Sequence, residues 1–163
     1  MSPEVKWTVV ATVLAAVIAG VFAVVSKRMP EAKPEPTARS STASIVSPQS
    51  GQSVGRKFTV TGTTAQLSDD RYLWLGVQIG QLVWPKEPRL RNEDKSWSQT
   101  VHEGGTPPSG AFTLVLFQVS ADGDAYLTNW FTTGQRTGDW PGIEPKNLKG
   151  YAQLHVVSDL KLE

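Results

Sequence analysis

The hydrophobic and polar positions divide the chain into stretches of different pattern. Residues 7–25 carry no charged side chain and no polar face, which predicts a helix that is apolar all round. Residues 26–43 alternate prolines with charged side chains, which predicts an extended linker. From residue 44 onward, short apolar–polar alternations between glycines and prolines predict strands and turns. The expected organisation is a short tail over 1–6, the helix over 7–25, the linker over 26–43 and a β domain over 44–163.

The apolar stretch over residues 7–25 has the length and flanking charges of a transmembrane helix. Its 19 residues would span about 28 Å at ~1.5 Å per residue, close to the ~30 Å hydrocarbon core of a bilayer. Lys6 lies directly before it, and Lys27 and Arg28 follow it. A core helix usually keeps one polar face, and a signal peptide has a shorter apolar stretch with a small-residue cleavage site. The sequence therefore predicts a single-pass membrane protein.

Residues 44–163 alternate apolar and polar side chains in short runs, as half-buried strands do. The run over 112–119 is the most continuously apolar, so we expect it at the centre of a sheet. Gly80 and Gln81 separate two runs, which predicts a hairpin. Several short strands with glycine- and proline-rich turns favour a mainly β domain built as a two-sheet sandwich. The predicted strands cover residues 58–61, 72–79, 82–84, 96–101, 112–119 and 154–157.

One segment near the C-terminus departs from strand alternation. Apolar and aromatic side chains over residues 126–131 recur at helical spacing. Asp124 is a suitable N-terminal cap for this helix, and Gly134 is a suitable end. The threonines and aromatic residues of the segment also suit a strand, so both structures stay open, with the helix preferred.

The N-terminal part of the domain resembles a known class of modules. Residues 45–51 and 58–63 are similar to the opening of immunoglobulin-like modules in bacterial membrane and surface proteins, where a Ser-Pro-x-x-Gly turn leads into the second strand. A group of bacterial proteins with a short helix before the last strand shares features seen here in Leu73-Trp74-Leu75, Trp84-Pro85, Trp97 and Gly104-Gly105. The resemblance implies an immunoglobulin-like β-sandwich with one short helix before the last strand. It implies no catalytic, cofactor-binding or metal-binding residue, because such sandwiches carry many functions.

Composition and charge narrow the function classes. The chain has no cysteine, which excludes a disulfide scaffold, a thiolate zinc site and a cysteine nucleophile. Residues 44–163 contain 11 Lys+Arg and 12 Asp+Glu, a net charge of −1, so we expect no nucleic-acid binding. His102 and His155 lack metal-ligand spacing, and the acidic pair in residues 122–124 suits a turn and helix cap better than a calcium loop. We therefore expect a non-enzymatic domain with no metal and no cofactor.

Tryptophan is the most informative residue type in the domain. Trp84 and Trp140 each precede a proline, which biases the tryptophan backbone towards an extended conformation. If these two side chains and that of Tyr72 are exposed, they would stack on sugars or anchor a protein partner. The alternative is that each tryptophan packs under its own loop. We expect Trp97 and Trp130 to fill the core instead.

Three functions follow from these features, and the first is preferred. The domain is a membrane-anchored binding module for a protein partner, a carbohydrate or cell-wall binder, or an enzyme accessory domain. The side of the membrane stays open. The resemblance implies export, whereas the positive-inside bias favours a cytoplasmic domain, since Lys6 alone precedes the helix and Lys27, Arg28, Lys33 and Arg39 follow it.

Overall fold

The structure, a computed structural model, describes residues 43–64, 67–91, 95–105 and 110–163. The predicted tail and the predicted helix over 7–25 lie outside the described residues. The predicted linker over 26–43 also lies outside them, apart from its last residue, Ala43. Within the described ranges, no helix is both long and apolar enough to cross a bilayer.

The described part of the chain is mainly β, as predicted, with two sheets and one α-helix. One sheet has the strand order β1-β3-β6, and the other has the order β2-β8-β7-β4-β5, in which only β2 and β8 pair in parallel. Each predicted strand falls within an observed one. The elements are β1 (Ala43–Ser47), β2 (Ser53–Val54), β3 (Lys57–Thr64), β4 (Tyr72–Ile79), β5 (Leu82–Leu90), β6 (Ser96–His102), β7 (Ala111–Val119), α1 (Ala121–Thr137), a 3-10 turn (Pro145–Asn147) and β8 (Ala152–Leu162).

The two sheets share one hydrophobic core. Successive side chains of a strand point to opposite faces, so alternate residues of β4 and β7 enter this core, including Leu75 and Leu116. The three-stranded sheet contributes Val60, Trp97 and Val101 from β3 and β6. All five residues are buried, and β7 lies in the middle of its sheet, as the apolar run over 112–119 predicted.

The other face of the five-stranded sheet is covered by α1. A second core cluster joins Phe117 and Trp74 of this sheet to Leu127 and Phe131 of the helix. The rings of Trp74 and Phe131 stack with centroids 5.6 Å apart. Because β7 is buried on both faces, its sequence is apolar at nearly every position rather than alternating.

Residues 126–131 are helical, but both predicted ends of the helix are wrong. The helix begins after Ser120, whose hydroxyl accepts a hydrogen bond from the Gly123 backbone amide, so Asp124 lies inside the first turn. It continues through Gly134 to Thr137 and ends at Gly138, which has φ 75° and donates its amide to the Gly134 carbonyl. A left-handed residue after the last turn is where glycine favours a helix end.

The hairpin between β4 and β5 places β5 at the edge of its sheet. Ile79 pairs with Leu82 across the Gly80-Gln81 turn, as predicted. The strand does not stop at Trp84 as expected but continues through Pro85 and Pro88 to Leu90. Prolines are tolerated there because an edge strand leaves one side of its backbone without a partner strand.

Candidate functional site

A groove runs along β5 where the edges of the two sheets meet, beside the C-terminal half of α1. Its volume is about 600 Å³, and we call it the tryptophan groove. Strands β4 and β5 supply part of its wall, α1 and the following loop supply another, and β6 supplies the polar side. Its main residues are Ile79, Trp84, Pro85, Lys86, Glu87, His102, Glu103, Trp130 and Trp140.

Hydrogen bonds from two indoles hold the loop after α1 against β5. The Nε1–H of Trp84 donates to the Trp140 carbonyl at 2.9 Å, and the Nε1–H of Trp130 donates to the Pro141 carbonyl at 3.0 Å. Trp84 also packs on Gly142, where an added Cβ would lie 2.7 Å from its ring. These indole donors are already used, so Trp84 and Trp130 offer the groove apolar ring surface rather than hydrogen bonds.

Trp140 lies on a glycine in the last turn of α1. A Cβ added at Gly134 would overlap the six-membered ring of Trp140, so no larger residue fits without moving that ring. Trp130 and Phe131 meet Trp140 edge to face, with centroids 5.0 Å and 6.0 Å away. Trp140 nevertheless stays 39% exposed. The ring is therefore fixed from behind and open to solvent in front.

The polar side of the groove is organised by an ion pair between the two sheets. Lys86 Nζ lies 2.9 Å from Glu103 Oε2, with the two side chains only 17% and 12% exposed. The Nε2–H of Gln99 donates to the Lys86 carbonyl at 3.1 Å, which ties β6 to β5. Glu87 accepts a hydrogen bond from the neutral amide of Gln135 at 3.3 Å. Among the described residues, no cation pairs with the Glu87 carboxylate, so the groove carries one negative charge at its rim.

The structure brings two of the three predicted site residues together. Trp84 is half-buried and Trp140 is exposed. The hydrogen bond between them supports the loop after α1, and both residues also present part of their ring to solvent. Tyr72 lies at the opposite end of β4, where it pairs with Val119 and faces a different cavity. Trp97 is buried, as expected, whereas Trp130 is half-buried and lines the groove besides packing on the core.

Two sequence motifs that suggest chemistry have other roles. Residues 51–55 show the Gly-x-Ser-x-Gly spacing of a hydrolase nucleophile elbow, in which the serine sits between a strand and a helix. Ser53 instead begins β2, pairs with Lys161 and is followed by β3. The second motif is the acidic pair in residues 122–124, in which Asp122 forms an ion pair with Lys149 at 3.2 Å. No three His, Asp or Glu side chains of the described ranges are grouped so that they could hold a metal ion.

No protein-family model matches the chain, and a search of curated proteins finds no match either.

Proposed function

We propose that the domain over residues 44–163 is a non-enzymatic binding module that engages a protein partner through the tryptophan groove. The observation that carries this proposal is Trp140, which is 39% exposed although its ring is fixed against Gly134, Trp130 and Phe131. Tryptophan is enriched among the residues that dominate binding energy at protein interfaces. A ring that is already immobile loses little conformational entropy on binding, which favours affinity.

The partner segment is recognised through its side chains rather than by adding a strand. The backbone N–H and C=O of Val83 both pair with Ile143 at 2.9 Å, so the β5 edge is already bonded there. Pro85 and Pro88 have no N–H to offer a new strand. The edge is therefore closed to β-augmentation at these three positions, and the ring surfaces of the groove remain for contact.

The charge of the groove favours a segment that combines an apolar side chain with a basic one. The apolar side chain would contact Trp84 and Trp140, and a neighbouring Lys or Arg would face Glu87. The Lys86–Glu103 pair neutralises itself and leaves that carboxylate to set the preference. We propose a partner segment of this chemistry.

A phage-displayed library of random peptides, selected on the full-length chain in detergent, tests the proposal. We expect enriched peptides to place a Lys or Arg next to an aromatic or aliphatic residue. Their binding should weaken in Trp140→Ala and, for basic peptides, in Glu87→Gln, which leaves the rings in place. Tyr126→Ala is the matched control, because Tyr126 is 47% exposed and lies outside the groove. Equal binding to the parent and both groove variants would overturn the proposal.

Carbohydrate or cell-wall binding is a second candidate, favoured by the open ring of Trp140. An exposed indole face fixed from behind is a surface on which a sugar can stack. Retention of the full-length chain on soluble peptidoglycan fragments, lost in Trp140→Ala and kept in Tyr126→Ala, would support it. Retention of both variants would count against a role for the groove in sugar binding.

We further propose that the domain is an immunoglobulin-like sandwich tethered to a membrane by residues 7–25. Two sheets around a shared core support the first part, and the apolar pattern of residues 7–25 supports the second. The full-length chain should stay with membranes after a carbonate wash, because withdrawing ~19 apolar residues from a bilayer is strongly unfavourable. Its appearance in the wash would contradict the tether, and protease accessibility in intact cells and spheroplasts would assign the side of the domain.

A further inference from the structure

A histidine joins the two sheets at the edge opposite the tryptophan groove. The groove lies beside β6, and β1 is the other outer strand of the three-stranded sheet. There the Ile45 backbone N–H of β1 donates to Nδ1 of His155, in β8 of the five-stranded sheet, at 3.4 Å. Within the described ranges, no other hydrogen bond connects β1 to β8. The contact between these two strands therefore depends on the state of one imidazole ring.

This hydrogen bond requires a neutral imidazole. A ring nitrogen that accepts a hydrogen bond carries no proton, so the proton of the neutral ring lies on Nε2. His155 pairs with Leu116 of β7, and paired residues share a face of the sheet, so the half-buried ring lies on the side of the core between the sheets. An imidazolium carries a proton on both nitrogens and would turn an N–H towards the N–H of Ile45.

The strands around His155 offer no charge that would stabilise an imidazolium. The strands packed against β8 are β1, β2 and β7, and none of them contains Asp, Glu, Lys, Arg or a second His. The turn over 48–52, which also bonds to β8, contains none either. Within β8 the charged residues are Asp159 and Lys161, both exposed and further along the strand. Protonation of His155 thus removes a hydrogen bond and forms no ion pair with these strands.

The remaining contacts of β1 determine which part of the molecule can move. The hydroxyls of Ser44 and Thr63 are 2.8 Å apart, so β1 stays attached to β3. The turn after β1 is fixed to β8, because the Gly51 N–H donates to the Ser158 carbonyl at 3.0 Å. Neither contact involves a group that titrates near neutral pH. Loss of the His155 bond would therefore let β1 move away from β8 together with β3, with the turn over 48–52 as the hinge.

We propose that His155 is an acid-sensitive latch between the two sheets. The neutral ring holds Ile45 and keeps this edge closed. Histidine changes its charge between about pH 5 and pH 8. As the pH falls through the titration of His155, the bond is lost and the edge opens, which exposes the buried side chains of Ala43 and Ile45. The latch lies at the edge opposite the groove and does not depend on a partner bound there.

Hydrogen exchange of the Ile45 amide tests the latch in the isotope-labelled full-length chain in detergent. Protection factors, which remove the intrinsic pH dependence of exchange, report local opening and should be compared at about pH 7.5 and about pH 5.5. We expect the protection of Ile45 to fall about fivefold or more at the lower pH, as the loss of one hydrogen bond predicts. In His155→Asn the protection should be the same at both pH values, because the amide does not titrate.

His102→Asn is the matched control, because His102 is the other histidine of the chain and lies exposed at the end of β6. It should keep the pH dependence of the parent. The nitrogen chemical shifts of the parent's His155 ring give a second readout, and at about pH 7.5 they should show Nδ1 without a proton. A protonated Nδ1 would overturn the proposal. Protection of Ile45 that does not change with pH in the parent, or that changes equally in His155→Asn, would overturn it as well.

Discussion

Gly134→Ala should destabilise the protein although alanine is the better helix former. Gly134 is buried inside α1, three residues before its end, where glycine costs a helix about 1 kcal/mol relative to alanine. The structure explains its presence, because the ring of Trp140 occupies the place that an alanine Cβ would take. The substitution therefore sets a gain in helix propensity against the displacement of Trp140.

The burial of Trp140 sets the size of the loss. The residue is 39% exposed, so more than half of its surface is buried against the helix. At ~25 cal/mol per Å² and ~100–150 Å² of buried ring surface, displacing it costs about 2–3 kcal/mol after allowance for a compact unfolded chain. Subtracting the ~1 kcal/mol gain in propensity leaves a net destabilisation of about 1–2 kcal/mol.

A double-mutant cycle separates the two effects. Equilibrium urea unfolding, followed by circular dichroism, should show Gly134→Ala lowering the free energy of unfolding in the parent. In a Trp140→Ala background the same change should raise it by about 0.5–1 kcal/mol, because only the propensity gain remains. Asn129→Ala, at an exposed helix position, should be mildly stabilising in both backgrounds. If Gly134→Ala stabilises the parent, Trp140 does not pack on Gly134, and the description of the groove given above is wrong.

Three further substitutions, the first with a matched control, test the fold itself. Gly62→Ala should destabilise the protein by about 2 kcal/mol or more, because a Cβ there overlaps the Trp97 ring and a backbone oxygen. Gly104→Ala is the control: Gly104 has open space around it, so the change should alter stability by less than ~0.5 kcal/mol. Leu116→Ala should cost about 2–5 kcal/mol through lost burial and a cavity, and an unchanged urea midpoint would place it outside the core. Ser120→Ala should cost about 1 kcal/mol because it removes the N-cap of α1, and a neutral result would show that the Ser120 hydroxyl does not cap the helix.

The strands were predictable because burial on one face produces alternating apolar and polar residues, and burial on both faces produces a continuous apolar run. The apolar run over 112–119 indicated a strand at the centre of a sheet, and helical spacing over 126–131 indicated α1. The errors occurred where tertiary contacts override local preference. A glycine such as Gly134 usually marks the end of a helix, but here the helix continues past it and the Trp140 ring packs against it. Pro85 suggests the end of a strand, yet an edge position tolerates it.

The candidate site was predictable only in part. The prolines after Trp84 and Trp140 marked both residues, but their contact joins positions 56 apart and depends on the register of β5 and the course of the loop after α1. Sequence reasoning placed Tyr72 with them, whereas β4 carries Tyr72 to the opposite end of the sheet. Glu87 had no local signal, because its carboxylate matters only beside those rings.

Indole resonances offer the most direct test of the tryptophan groove as a binding surface. The tightest peptide from the library should be titrated into the isotope-labelled full-length chain while the Nε1–H signals of its tryptophans are followed. We predict saturable shifts for Trp84, Trp130 and Trp140, with Trp97 unchanged because it is buried between the sheets. Saturable binding that leaves the three groove signals in place, or failure of the library to yield any binding peptide, would contradict it.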